Sequence, residues 1–354
     1  MMRYDLRSYT LLHMMNLIRR LIFGFCLVVA SHACVAEQTL VDPLEFDDKP
    51  LVDTVALPDW FKLSFLDLKD SLAEAKQAGK QGLIIYFHRY DCPYCKAQIE
   101  VNWGSQDIEH YTRKHFDVIA MDVRGLRTVT DFDGKTYTEK AYAAHMKTDF
   151  TPSNLFYNTE GKLVLRLPGF RPPYQFRAAL EFIADTHYAR TSFSNYLARA
   201  EAAMSFGQEE LNENDAFQPP PFQLDRSHLP AKKPLLVFFE HPRCHACDVL
   251  HAGPLSHPDV SRLLKKFDVV QLDSRSDTAV ITPAGIKTTS RAWANQLDLN
   301  FAPTLIFFDE HGKEIIRAES VLRLHRLNKI LLYVLAKGYK KYPTLQLWQQ
   351  SRKQ

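Results

Sequence analysis

The amino-acid sequence predicts an α/β protein made of two tandem copies of one domain, and three observations lead there. Four of its six cysteines form two C-x-x-C pairs, Cys92/Cys95 and Cys244/Cys247, where chance placement would give roughly 0.1 such pairs. The chain also repeats itself at an offset of 151 residues: Lys114-His115-Phe116-Asp117-Val118 returns as Lys265-Lys266-Phe267-Asp268-Val269, and Asp122, Arg124, Gly134, Thr138, Pro152, Arg166 and Tyr188 return as Asp273, Arg275, Gly285, Thr289, Pro303, Arg317 and Tyr339. Finally, apolar runs of strand length alternate in each copy with stretches of helical spacing. With 46% hydrophobic and 24% charged residues, the composition excludes a disordered, collagen-like or polytopic membrane protein. A formal charge of +3 over 354 residues leaves no basic face for nucleic acid.

Taken in order, residues 1–36 read as an export signal: Arg19-Arg20, the apolar run Leu21–Ala30, then small residues through Ala36. The ten residues of that run fall short of the ~20 that span a bilayer, which disfavours an uncleaved anchor. Ser31-His32-Ala33 fits a lipid-attachment signal at Cys34 poorly, and Met14 or Met15 is an alternative start. The mature chain then begins near Glu37 with four cysteines, all in C-x-x-C pairs, in an oxidising compartment. An extended segment, 37–58, leads into the first domain, 59–206. There a helix over Asp67–Ala78 stops at Gly79, a strand runs over Leu83–Phe87, and a helix opens at Cys92 with Pro93 in its first turn. A strand over Phe116–Met121, a turn at Asp131–Gly134 and a helix capped by Thr138 follow. Pro152 then leads strands Asn154–Tyr157 and Leu163–Leu167, and a last helix starts near Pro173. Residues 207–234, polar and broken by Pro219-Pro220-Pro221, read as an extended linker. The second domain, 235–354, repeats the pattern with strands Leu235–Phe239, Phe267–Leu272, Thr304–Phe308 and Ile315–Ile316 and a helix over Thr289–Leu297, without the long opening helix.

Strand, C-x-x-C helix, strand, helix and a proline-led hairpin with a closing helix is the order of thioredoxins. Cys92-Pro93-Tyr94-Cys95, Phe116-Asp117-Val118, Val129–Gly134 and Phe150-Thr151-Pro152 resemble the periplasmic thioredoxins of the bacterial sulfur-oxidation system. The second copy is similar to the same family through Phe238-Phe239-Glu240, Cys244-His245-Ala246-Cys247 and Phe301–Phe308. The resemblance implies two tandem thioredoxin-like three-layer α/β/α domains and an exported thiol–disulfide oxidoreductase of the kind linked to reductive maintenance of cysteines in periplasmic partner proteins. Whether this chain reduces, isomerises or oxidises, and whether a membrane thiol-reductase donor supplies it, the sequence leaves open. It also implies that Pro152 and Pro303 are cis prolines opposite the sulfurs, with Thr151 and Ala302 before them docking a cysteine-bearing peptide. Two features depart from the family. Most members carry one domain, and the acidic residue that cytoplasmic thioredoxins place six before the first cysteine is here Tyr86 and Phe238. Glu240 is a candidate substitute in the second copy, with His88 as its counterpart in the first.

Thiol–disulfide exchange needs a thiolate and a second thiol one helical turn away. The first sulfur of each C-x-x-C faces a helix N-terminus, which favours the thiolate. Cys92 and Cys244 are therefore assigned as attacking sulfurs, Cys95 and Cys247 as resolving ones. No cofactor is called for. The two pairs lie 148 residues apart, too far for a zinc module with its ~15–20 residue spacing, and Lys96 and Asp248 exclude covalent haem. Two static disulfides are an alternative of small stabilising value. In a different class, Cys244, Cys247 and His251, with His245 beside them, share a helix face suited to copper(I) or zinc; Ile99 replaces the histidine in the first copy. A third reading makes one domain a docking module only. Asp91 beside Cys92, against Arg243 and His245 beside Cys244, predicts that the second pair is the better oxidant and takes electrons from the first.

Overall fold

The computed structural model describes residues 42–202 and 210–352. The export signal, the first residues of the extended segment, and 203–209 of the expected linker lie outside the described residues. Residues 43–354 form one unit containing both repeats, and no described helix is long and apolar enough to cross a membrane.

The first repeat is a four-stranded sheet in the order β2-β1-β5-β6, made of β1 (Gly82–His88), β2 (Phe116–Asp122), β5 (Ser153–Asn158) and β6 (Leu163–Pro168). β1 runs parallel to β2 and antiparallel to β5, so it is central and all seven of its residues are buried. That is why it reads as an unbroken apolar run. Its alternate side chains feed two cores. Ile84 and Tyr86 join Trp103, Phe116, Phe156 and Phe176 on one face. Leu83, Ile85 and Phe87 join Leu68, Leu72, Met121 and Tyr142 on the other. Gly82 opens the strand at φ 155°, where a Cβ would stand 1.9 Å from the Tyr157 carbonyl oxygen, so only glycine permits the pairing.

Helices cover both faces. α1 (Leu68–Gln77) is capped by Asp67, whose carboxylate accepts from the backbone N–H of Lys69 and Asp70. α2 (Pro93–Ala97) starts at Cys92 and continues as a wider turn over Gln98–Asn102. α3 (Gln106–His115), which the sequence reading lacks, buries only Ile108 and Thr112. A small hairpin, β3 (Thr128–Thr130) with β4 (Thr136–Thr138), encloses the expected turn and leads into α4 (Glu139–His145). α5 (Pro173–Ala184) and α6 (Phe193–Ala202) close the repeat.

The second repeat has the equivalent order, β13-β12-β8-β9. The segment read as a linker is part of it. β7 (Phe222–Gln223) pairs in parallel with β10 (Ala279–Ile281), itself antiparallel to β11 (Lys287–Thr289). Leu224 is buried and Phe222 packs beside it on the core of β8 (Leu235–Glu240), in the place where α1 covers β1. Arg226, 6% exposed, pairs with Asp268 at 2.8 Å. The polar composition of 207–234 hid three residues that complete a domain lacking its opening helix. Around them lie α7 (His245–Leu250), α8 (Pro258–Leu264), β9 (Asp268–Asp273), α9 (Ser290–Gln296), the hairpin β12 (Thr304–Phe308) and β13 (Glu314–Glu319), α10 (Leu324–Leu335) and α11 (Leu345–Ser351).

The repeats meet through equivalent residues. Val321 N–H donates to the Phe170 carbonyl at 3.2 Å, and Gly169 lies against Ser320. Both pairs are 151 apart in sequence, so the contact is an approximate two-fold within one chain. Phe301 and Val249 of the second repeat join the core that contains Cys92, Tyr94 and Phe170.

Candidate functional site

Cys92 is the N-cap of α2, and its Sγ accepts the Cys95 backbone N–H at 3.1 Å. Pro93 at the first helical position has no N–H to satisfy, and the Cys95 N–H is shared between Cys92 Sγ and the Cys92 carbonyl, each at 3.1 Å. The loop before β5 brings Thr151 to the same atom. Its hydroxyl donates to Cys92 Sγ at 3.3 Å, and the Cys92 thiol donates to its carbonyl at 3.4 Å. The Thr151–Pro152 peptide is cis, as is Ala302–Pro303. Cys92, Cys95 and Thr151 are each 1% exposed.

The electrostatics divide the two thiols. Burial pushes the Cys92 thiol up, but the hydrogen bond with Cys95, the Arg89 and Arg326 guanidinium groups and the Thr151 hydroxyl outweigh it and bring Cys92 down to about 6. Cys95 goes the other way, raised by burial and then by its hydrogen bond with Cys92 and that sulfur's charge. One sulfur thus favours the thiolate and its neighbour the thiol, the division that attack and resolution require of a dithiol.

Asp91 does not oppose this thiolate. Arg89 Nε holds one of its oxygens at 2.7 Å and Arg124 Nη1 the other at 3.2 Å. Asp91, an unopposed charge when only its sequence neighbours are counted, is thus paired, and Arg326 adds a cation from the other repeat, so the expectation that the second pair is the better oxidant loses its basis.

Much of the first site comes from elsewhere in the chain. Arg326, on the first turn of α10, lies 3.3 Å from the centroid of the Tyr94 ring and donates Nη2 to the Thr151 carbonyl at 2.6 Å. Asp48 accepts the Tyr94 hydroxyl at 2.8 Å and the backbone N–H groups of His325 and Arg326, each at 2.8 Å. Helix α10 has no cap from its own Arg323, so the N-terminal segment supplies one. Arg89 reaches α11 through Gln346 at 3.0 Å. Asp48, Arg89 and Arg326 were not among the candidates; the one sequence signal for them is a helix that opens without a capping side chain.

The second pair repeats the geometry with different neighbours. Cys244 caps α7 and its Sγ accepts the Cys247 N–H at 3.2 Å, the two sulfurs being joined at 2.06 Å. Cys244 is 7% exposed, and Ala302, without a hydroxyl, stands where Thr151 does in the first repeat. Glu240 is fully buried and accepts from His251 Nε2 at 3.1 Å and from Gln271 Nε2 at 2.6 Å. His251 is thereby turned to a carboxylate rather than to the sulfurs. Among the described residues Cys244, Cys247 and His251 do not bring three donors together. His88, the counterpart of Glu240, stacks on Tyr86 and is lowered to about 4, chiefly by burial, so it is neutral.

The thioredoxin-like domain model matches the chain twice, over residues 68–184 and 226–335. A thioredoxin-fold protein from Helicobacter pylori is 22% identical, the match covering 41% of this chain and 89% of that one at a TM-score of 0.32. A thioredoxin from Thermus thermophilus is 24% identical over 32% of this chain and 82% of its own, at 0.26. A disulphide isomerase from Xylella fastidiosa is 20% identical over 38% and 87%, at 0.22. No curated protein matches the chain.

Proposed function

The chain belongs to the thioredoxin-like domain family through both of its repeats, and on that premise we propose that it is an exported, periplasmic thiol–disulfide oxidoreductase acting as a reductase of disulfides in partner proteins. The observation that carries this reading is the asymmetric dithiol: Cys92 down to about 6 under two guanidinium groups, with Cys95 raised beside it. Export is supported by the arginine-led apolar run before residue 36 and by the mature chain's use of cysteine only in C-x-x-C pairs.

The reaction balances within the site and its substrate. The Cys92 thiolate attacks one sulfur of a disulfide, forms the mixed disulfide and expels the other substrate sulfur, which takes up a proton. Cys95 then gives up its proton and attacks Cys92 Sγ, closing the Cys92–Cys95 disulfide and releasing the second substrate thiol. Two electrons pass to the substrate with one proton from Cys95 and one from water, and a membrane thiol-reductase donor returns the electrons. Cys244 and Cys247 run the same exchange in the second repeat. Replacing Cys92 or Cys244 by alanine removes one repeat's share of disulfide reduction, and the double variant is inert. Residual reduction by the double variant would defeat the proposal. Cell fractionation, with N-terminal sequencing of the mature chain, tests export.

A further inference from the structure

A sulfur that attacks another molecule's disulfide has to be reached, yet Cys92 is 1% exposed. Its cover is the second repeat. A cysteine-bearing peptide that adds to the edge of a fold needs free backbone groups to pair with, and two carbonyls beside Pro152 are already taken. The Thr151 carbonyl accepts Arg326 Nη2 at 2.6 Å, and the Asp149 carbonyl accepts Gln346 Nε2 at 3.2 Å. The Arg326 guanidinium lies on the Tyr94 ring, 3.3 Å from its centroid, and pairs with no carboxylate among the described residues. Asp48 fixes it there by capping its helix and binding the Tyr94 hydroxyl. What remains open is a narrow cleft bordered by Arg89, Cys92, Pro93, Arg326, Gln346 and Gln349. A low-mass disulfide needs only a line of approach to Sγ, whereas an extended peptide needs the Thr151 carbonyl as well.

We propose that Arg326 is a specificity-determining residue of the first dithiol: seated on Thr151 and Tyr94 it reserves Cys92 for low-mass disulfides, and an extended peptide enters only by displacing it. The inference rests on the oxidoreductase reading and departs from its substrate class at the first dithiol: with Arg326 seated, partner-protein disulfides are left to Cys244 and Cys247. At the equivalent of Arg326 the first repeat has Gln175, so the device belongs to the first site alone.

The test uses the full chain with Cys244 and Cys247 both replaced by serine, so that only the first site turns over. Rates are measured with oxidised glutathione and with insulin. Arg326→Ala raises the insulin-to-glutathione ratio of kcat/KM about tenfold, the worth of a lost hydrogen bond from a charged donor. Asp48→Ala, which frees the helix end but keeps the guanidinium, moves the ratio the same way. An unchanged ratio in both variants overturns the proposal. A second reading needs no turnover: alkylation of reduced Cys92 by iodoacetamide is compared with alkylation by a maleimide carried on a long polymer. Arg326→Ala accelerates the polymer reagent more than the small one, and equal acceleration of both also overturns the proposal. Absence of turnover with a shifted alkylation ratio would sink the oxidoreductase reading while keeping Arg326 as the cover of the site.

Discussion

At Cys92 neighbours both near and far along the chain decide the charge of one sulfur. The helix end supplies an N–H, Arg89 comes from the end of β1, and Arg326 comes from the other repeat. The consequence is measurable as pH dependence. Alkylation of reduced Cys92 by iodoacetamide is half-maximal near the about 6 that these groups impose, and Arg326→Gln moves the midpoint upward. The same shift sets a stability slope. Below the folded value the sulfur is protonated in both states and contributes nothing. As pH rises from about 6 towards the ordinary 9.0, the folded state is ionised while the unfolded one is not, so the folded state gains. Reduced protein therefore gains stability over its Cys92→Ser variant between those limits, and loses that gain as pH falls back through about 6. Denaturant melts of the two at pH 5 and pH 9 check this, and a difference independent of pH would contradict it. Spacing alone pointed to the four cysteines, because C-x-x-C is a local pattern. Arg326 is 234 residues from Cys92, and no local pattern links them.

Strands and helices were legible in the sequence to different degrees, for reasons that lie in burial. Central strands such as β1, β5, β8 and β12 are buried throughout, so their apolar runs mark them within a residue at either end. Helix α3 buries two of its ten residues, and its polar sequence offers no stripe to read. Phe222 and Leu224 do a helix's work from inside a proline-rich stretch, which is why composition mistook them for part of a tether. α10 is the instructive case. It begins at Leu324 after an arginine that cannot cap it, and the carboxylate it needs is Asp48, from 276 residues earlier. Removing that carboxylate leaves two N–H groups at a half-buried helix end without their acceptor. Asp48→Ala is expected to cost about 1–2 kcal/mol of unfolding free energy, measured by denaturant melts, with Asp48→Asn recovering part of it. A loss below a few tenths of a kcal/mol would mean that the cap is replaced by water.

Over the whole molecule, duplication has given the chain an interface with itself. An isologous contact places each residue near its own counterpart at the axis, and here Gly169 meets Ser320 while Phe170 meets Val321. The two sides of the axis have diverged: Arg171, 1% exposed, stands against Leu322 at the same offset, and reaches across to the Phe301 ring at 4.4 Å and to Asn300 Oδ1 at 3.3 Å. This contact holds the second repeat over Cys92, so loosening it at the axis should open the first site from a distance. Gly169 is the point to press. Its φ is 77°, and a Cβ there would stand 2.3 Å from Ser320 Cβ. Gly169→Ala therefore carries backbone strain and a clash across the axis, together about 1–4 kcal/mol. Ser320→Gly removes the clash partner and leaves the strain. Urea melts of the wild type, both single variants and the double variant separate the two effects, with a favourable coupling of about 1 kcal/mol or more expected. Alkylation of Cys92 by a polymer-bound maleimide should rise in Gly169→Ala and fall back in the double variant. Additive stabilities, or an alkylation rate that ignores the substitution at the axis, would show that the repeats are not held together there and that the cover over Cys92 depends on α10 alone.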